Sequence, residues 1–262
     1  MKIIIILFLI ICLCLYYHFF FLQKEIFENN NSDENIVFII PSTSRNMNYN
    51  DINSCSLIKK LYASLAKLNI SKYKFIIGFD DDDVFYNENI ELLKTKFPEN
   101  FHFHFFNNYD KSYVCIVNQL SNVAIQNYNA EYLYVFADDL DVYQLDFITD
   151  FINYFKENNN LCLGWGIDKG NTRICTHPFV NKKHVEILGY FYPPSIKNWF
   201  CDDWITKLYT KLGKVIKSKE FVIENEARSP RYDIVNIDKN ILEELVDIDV
   251  NKIKKFDKNP LF

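Results

Sequence analysis

The sequence predicts an α/β domain built on a mostly parallel sheet with helices on both faces. Three observations predict it: continuous apolar runs of strand length, segments of helical period between them, and polar clusters directly after the strands. At 262 residues and 49% hydrophobic content, the chain suits one globular domain and an appendage. Its 17% aromatic content can fill a large core, whereas six glycines leave little for a phosphate-cradling loop. Phosphate held here would therefore depend on a metal and side chains.

A net charge of −5 argues against a nonspecific nucleic-acid binder, and no nucleic-acid partner is expected. Seven cysteines without a C-x-x-C pair remove a zinc knuckle or a thioredoxin-like motif. Cys12 and Cys14 fall in an apolar leader. The remaining five are odd in number and read as buried free thiols, with one bridge left open if the domain faces an oxidising lumen.

The elements follow in order. Ile3–Leu22 is an apolar run long enough to cross a bilayer, and no A-x-A-like cleavage site follows it, so residues 1–22 are expected to be an uncleaved signal anchor. Residues 23–35 are polar and acidic and read as a stem. A short tail inside and the domain outside the cytosol would make this a single-pass type II protein, its domain in an ER or Golgi lumen or on a viral or host membrane. Ile36–Ile40 reads as a strand stopped by Pro41-Ser42-Thr43-Ser44-Arg45. Cys55–Leu68 has helical spacing, and Lys74–Phe79 is a second buried strand running into Asp80–Asp83. Ile90–Phe97 reads as a helix, Phe101–Phe106 as a strand with His102 and His104 facing solvent, Tyr113–Gln126 as a helix and Tyr132–Phe136 as a strand. Beyond these, Leu145–Phe155 is helical, Leu161–Ile167 strand-like and Asp202–Leu212 an amphipathic helix. The domain is expected over 36–235, followed by a C-terminal tail, 236–262, with a short helix at Ile241–Val246.

In open α/β sheets ligands gather at the carboxyl ends of the strands, where Pro41–Arg45, Asp80–Asp83 and Asp138–Asp141 all fall. Carboxylates crowded at one strand end call for a compensating hard cation, Mn²⁺ or Mg²⁺, or else Ca²⁺. Asp80–Asp83 alone reads equally as a solvated turn. His177 is a candidate for binding acceptor or sugar, against a structural role. Trp165, Trp199 and Trp204 read first as core and second as platforms for sugar rings.

Over about Ile36–Asp233 the order of these pieces resembles the family 2 type of glycosyltransferase with a GT-A (Rossmann-like) fold. Ile39–Arg45 resembles that family's first strand and Pro-Thr-like loop, and Phe79-Asp80-Asp81 the strand end whose Asp meets the nucleobase. The resemblance thus implies nucleotide contacts from Pro41, Thr43, Arg45 and Asp80. Lys111 and Asn118 resemble a basic residue and an Asn that precede the metal motif. The D-x-D position falls on Asp138-Asp139-Leu140-Asp141. The family's more usual D-A-D-D would place an Asp where Phe136 stands, so Asp139, Asp138 and Asp141 all remain candidate metal ligands, Asp139 foremost. Thr176–Val180 and Leu188–Pro194 resemble the acceptor-side segment. Phe200–Trp204 resembles the acidic pair after it, which implies Asp203 or Asp202 as general base; a helix N-cap is the other reading of the same pair. Where the family often has a late metal-binding His, this chain has Asn225, with Glu226 beside it, Arg228 placed to meet a diphosphate and Asp233 at the next acidic position. That stretch also reads as a solvated charged loop.

The resemblance implies a metal-dependent hexosyltransferase-type enzyme, which the apolar run Ile3–Leu22 would anchor in a membrane. It would move a sugar from a UDP- or GDP-sugar to a hydroxyl of a glycan, protein or lipid acceptor. Two alternatives stand beside it. A nucleotidyltransferase generally begins with a Gly-rich loop, which Pro41–Arg45 lacks; a noncatalytic Ca²⁺-binding membrane module would rest on Asp80–Asp83.

Overall fold

Strand β1 (Ile36–Pro41) shows why both faces of the sheet are covered. All six residues are buried, and alternation sends Phe38 and Ile40 into one core and Val37 and Ile39 into the other. The computed structural model describes residues 34–108, 110–225 and 230–258. The expected anchor at 1–22 and all of the stem except Glu34 and Asn35 lie outside them. Among the described residues no helix is long and apolar enough to cross a membrane.

After β1 come a capped 3-10 turn at Ile52–Ser54 and α1 (57–65), whose Leu57–Tyr62 part is π-wound. There follow β2 (Lys74–Asp80), α2 (Val84–Lys96), β3 (Phe101–Phe106), α3 (Tyr113–Tyr128) and β4 (Tyr132–Val135). Next are β5 (Leu140–Val142), α4 (Phe147–Glu157), β6 (Leu163–Asp168), β7 (Pro178–Asn181), α5 (Lys183–Leu188), α6 (Cys201–Leu212), β8 (Val215–Asn225) and α7 (Lys239–Lys258). The strands form a sheet of order β3-β2-β1-β4-β7-β6-β8-β5. The parallel sheet expected from the sequence holds for β3-β2-β1-β4. Beyond β4 the sheet is mixed: β7 runs antiparallel to both β4 and β6, and β5 antiparallel to β8. The cause is the connection, because β7 returns from β6 through the loop 169–177 with no crossover helix between them.

One core packs α1 and α4 against the sheet, with Phe38 stacked on Phe75 (4.7 Å between ring centres) and Tyr134 (5.3 Å). The other holds α3, α6 and α7. Gly78 lets α3 lie directly on β2, since a Cβ there would come 2.9 Å from Leu120. His102 and His104, expected to face solvent, are half-buried against α3; the His102 ring lies 4.7 Å from that of Tyr128, and His104 Nε2 meets the Tyr128 hydroxyl at 3.1 Å. Helix α2 begins six residues before the predicted start because the Asp83 carboxylate caps it, accepting from Tyr86 N. The segment read as a tail carries α7, twenty residues long. Leu242, Val246, Val250 and Ile253 seat it in the core, and buried Asp249 takes the Tyr190 hydroxyl at 2.9 and 2.8 Å. The described cysteines Cys55, Cys115, Cys162, Cys175 and Cys201 are all free thiols.

Candidate functional site

The carboxyl ends of β1 and β4 open onto a cavity of about 440 Å³. Its walls come from Pro41–Thr43, Ala137–Asp139, the loop before β7, the start of α6, Asn225 and Pro230–Tyr232. The sheet therefore brings together Pro41, Thr43, Asp138, Asp139, Asp202, Asp203, Asn225 and His177, residues spread over nearly 200 positions.

Asp138 is 1% exposed and Asp139 7%. The Ser42 hydroxyl lies 2.5 Å from Asp138 Oδ2. Arg231 spans the pair: Nη1 meets Asp138 Oδ1, and Nη2 lies 3.0 Å from Asp139 Oδ2. Burial opposes the guanidinium charge, but the two carboxylates outweigh it and hold Arg231 above its ordinary pKa. Beside it, the Tyr232 hydroxyl donates to Asp80 Oδ2 at 2.9 Å, and burial followed by the Asp80 charge pushes that phenol up. Asn46 and Asn198 donate to the backbone carbonyls of Pro230 and Asp233 at 3.2 and 2.7 Å, so 230–233 lies as a strap over the strand ends. Arg231 and Tyr232 belong to no helix or strand, so no hydropathy period marks them in the sequence. The only signal was a basic-aromatic pair just beyond Arg228.

Several expected ligands are placed otherwise. Asp141 does not join Asp138 and Asp139: alternation along β5 buries Leu140 and Val142, and Asp141 turns to Lys60 of α1 at 3.3 Å, away from the cavity lining. Asn118 faces inward as a clamp, accepting from Phe191 N and Tyr192 N and donating to Tyr192 O, each at 2.9 Å. Lys111 is exposed at φ 48 in the β3–α3 loop and lines no part of the cavity. Asp80 is fully buried beneath Tyr232, with Arg45 Nε at 2.9 Å and Asn108 Nδ2 at 2.8 Å completing its donors. Arg45 is likewise committed, to Asp80 and Asp82. With Asp83 capping α2, the run Asp80–Asp83 is divided between partners, so it does not form the calcium cluster of the alternative reading. Arg228 and Glu226 lie outside the described residues.

Helix α6 supplies the acidic pair without using either residue as its cap. The N-cap position is Phe200, at φ 76, which is strained for a bulky side chain. That turn leaves Trp199 half exposed at the cavity, while Trp165 and Trp204 are core. Asp202 and Asp203 sit in the first helical turn. Burial, then repulsion from Asp203, raises Asp202 to about 7, so at neutral pH it can hold or release a proton.

Among the described residues no three His, Cys, Asp or Glu side chains assemble into a metal-holding group. The pair Asp138–Asp139 nevertheless fits a hard cation in chemistry: both are carboxylates, both are nearly buried, and a guanidinium already spans them.

No family model and no curated protein matches the sequence. Solved structures do. A 1–349 fragment of S. aureus TarS superposes with a TM-score of 0.51 at 13% identity, over 72% of this chain and 60% of that one. The same fragment in complex with UDP gives 0.52 at 12%, over 82% and 65%. The mannosyltransferase PcManGT from Pyrobaculum calidifontis, in complex with GDP-Man and Mn²⁺, gives 0.51 at 12%, over 72% and 56%. The match spans less than two thirds of each of these chains. At such identity the likeness is one of architecture, and it shows that this chain has the GT-A-like fold of these glycosyltransferases.

Proposed function

We propose that the chain is a glycosyltransferase that moves a sugar from a nucleotide diphosphate donor to an acceptor hydroxyl. One observation carries the reading: the buried carboxylate pair Asp138–Asp139, spanned by Arg231, and the acidic pair Asp202–Asp203 at the start of α6 line one cavity. The nucleotide lies along Pro41–Thr43, with Asp80 reached when Tyr232 withdraws. Asp138 and Asp139 would hold Mn²⁺ or Mg²⁺, which when bound supplies positive charge to the departing diphosphate. Arg231, released from the pair, offers two parallel N–H groups to phosphate oxygens. Asn225 stands at the cavity wall as a further oxygen donor.

The acceptor approaches past Trp199. Asp202 takes the proton of its hydroxyl as that oxygen bonds the anomeric carbon and the carbon–oxygen bond to diphosphate breaks, the electron pair leaving on phosphate. Asp203 keeps the Asp202 proton affinity high. A single displacement of this kind needs one base and no protein nucleophile, and it inverts the anomeric centre. The apolar run Ile3–Leu22 is proposed as the anchor that tethers the domain on the far side of a membrane.

The test is a panel of UDP- and GDP-sugars with Mn²⁺ or Mg²⁺, read by thermal shift and by release of free nucleotide diphosphate. Asp139→Ala and Asp202→Asn should each lower turnover at least about 100-fold with the fold retained. Full turnover in both variants, or a wild-type chain that binds no member of the panel, sinks the proposal.

A further inference from the structure

His177 is 2% exposed in the wall of the cavity, and no step above uses it. Its neighbours fix where its ring proton sits. Asp168, at the end of β6 and 1% exposed, accepts on Oδ1 from Gly170 N at 2.7 Å and Asn225 N at 3.0 Å. Its Oδ2 lies 3.0 Å from Thr176 Oγ1, and a carboxylate can only accept, so Thr176 donates there. A hydroxyl has one proton to give. Thr176 Oγ1 must then accept from His177 Nδ1, 2.8 Å away. The neutral ring therefore carries its proton on Nδ1 and a lone pair on Nε2. Burial pushes the imidazole down to about 4, with Asp168 acting in the opposite sense, so the ring stays neutral at pH 7.

Nε2 has no hydrogen-bond partner among the described residues, and it is not one of their enclosed unpartnered polar atoms. It opens onto the cavity. A bare nitrogen lone pair repels phosphate oxygens and accepts from a neutral donor. Metal ligation beside Asp138 and Asp139 does not fit, since the three side chains form no common metal-holding group. The His177 ring lies 6.2 Å from that of Phe136, two residues before Asp138. It thus lines the same cavity as Asp138 and Asp139, where a hydroxyl-bearing group of a bound donor would meet it.

Resting on the glycosyl-transfer reading, we propose that His177 reads the transferred sugar. Its Nε2 accepts a hydrogen bond from a hydroxyl of the donor sugar ring, and Asp168 and Thr176 are positioning residues that hold it in the accepting tautomer.

Two measurements on the full chain test this. In ¹⁵N-histidine spectra, with the His177 signals assigned by their loss in His177→Gln, wild type should show a protonated Nδ1 and a bare Nε2. Thr176→Val should move the ring toward the Nε2–H form. A wild-type ring protonated at Nε2 overturns the relay. In calorimetry with UDP, UDP-glucose, GDP and GDP-mannose, His177→Phe should weaken the nucleotide sugar that wild type binds about 5- to 10-fold and leave its bare nucleotide unchanged. His177→Gln, which keeps an accepting oxygen, should recover part of the loss. Equal weakening of sugar and bare nucleotide, or no weakening of either, overturns the sugar contact. A wild-type chain that binds none of the four probes overturns the glycosyl-transfer reading and the sugar contact with it, and the histidine spectrum then judges the relay alone.

Discussion

Replacing Asp202 with Asn should stabilise the fold, by an amount that grows with pH. Burial, then the Asp203 charge, lifts the Asp202 carboxyl from its ordinary value of 3.8 to about 7. The folded-state pKa is therefore above the unfolded one, so folding retains the proton. This contribution to stability is complete below about pH 4, falls as pH rises toward about 7, and is flat beyond. At about 1.4 kcal/mol per pH unit, the fall between about pH 5 and pH 7 is about 3 kcal/mol, an upper figure because water at the cavity wall relaxes around the charge. Asn has nearly the same shape and does not titrate, so the variant escapes the penalty. Urea unfolding of both proteins at several pH values between about 5 and 8 measures the difference and cancels the other titrating groups. A difference that stays constant, or narrows as pH rises, would refute the assignment. The same group sets the rising limb of kcat/KM near pH 7, and Asp203→Asn should move that limb to lower pH by removing the repulsion.

Arg231→Gln leaves Asp138 and Asp139 buried without its charge and should cost about 3 kcal/mol, part of which MnCl₂ restores; a melting curve that Mn²⁺ shifts no more in the variant than in wild type counts against competition for the pair. Asn118→Ala strands the N–H groups of Phe191 and Tyr192 and should lower stability by about 2 to 4 kcal/mol in urea titrations, while KM for a nucleotide sugar stays within about twofold.

The parallel half of the sheet was legible because β1, β2 and β4 are buried on both faces and so read as unbroken apolar runs. The antiparallel half was not, since the pairing of β7 between β4 and β6 depends on partners far along the chain. That Asp138, Asp139, Asp202 and Asp203 would come together at one cavity was legible because strand ends and helix starts are places the chain marks locally. Asp141 was misplaced although its signal was present: Leu140 and Val142 flank it in strict alternation, which turns it away from the side they share. Asn118 shows the converse error, since a polar residue on a helix reads as a ligand when its partners, more than 70 positions away, are backbone groups. Arg231 and Tyr232 carry no periodic signature at all, and their meaning comes from contacts 93 and 152 positions away.

The strap at 230–233 also changes how any measured affinity must be understood. A ligand that uses Asp138, Asp139 or Asp80 binds the fraction of molecules in which Arg231 or Tyr232 has let go, so its apparent dissociation constant is the intrinsic one divided by that fraction. If one molecule in about a hundred is open, the chain looks about a hundredfold weaker than its site. A substitution at Asn46, which lies outside the cavity lining and touches the strap only through its backbone, should then tighten binding without contacting the ligand.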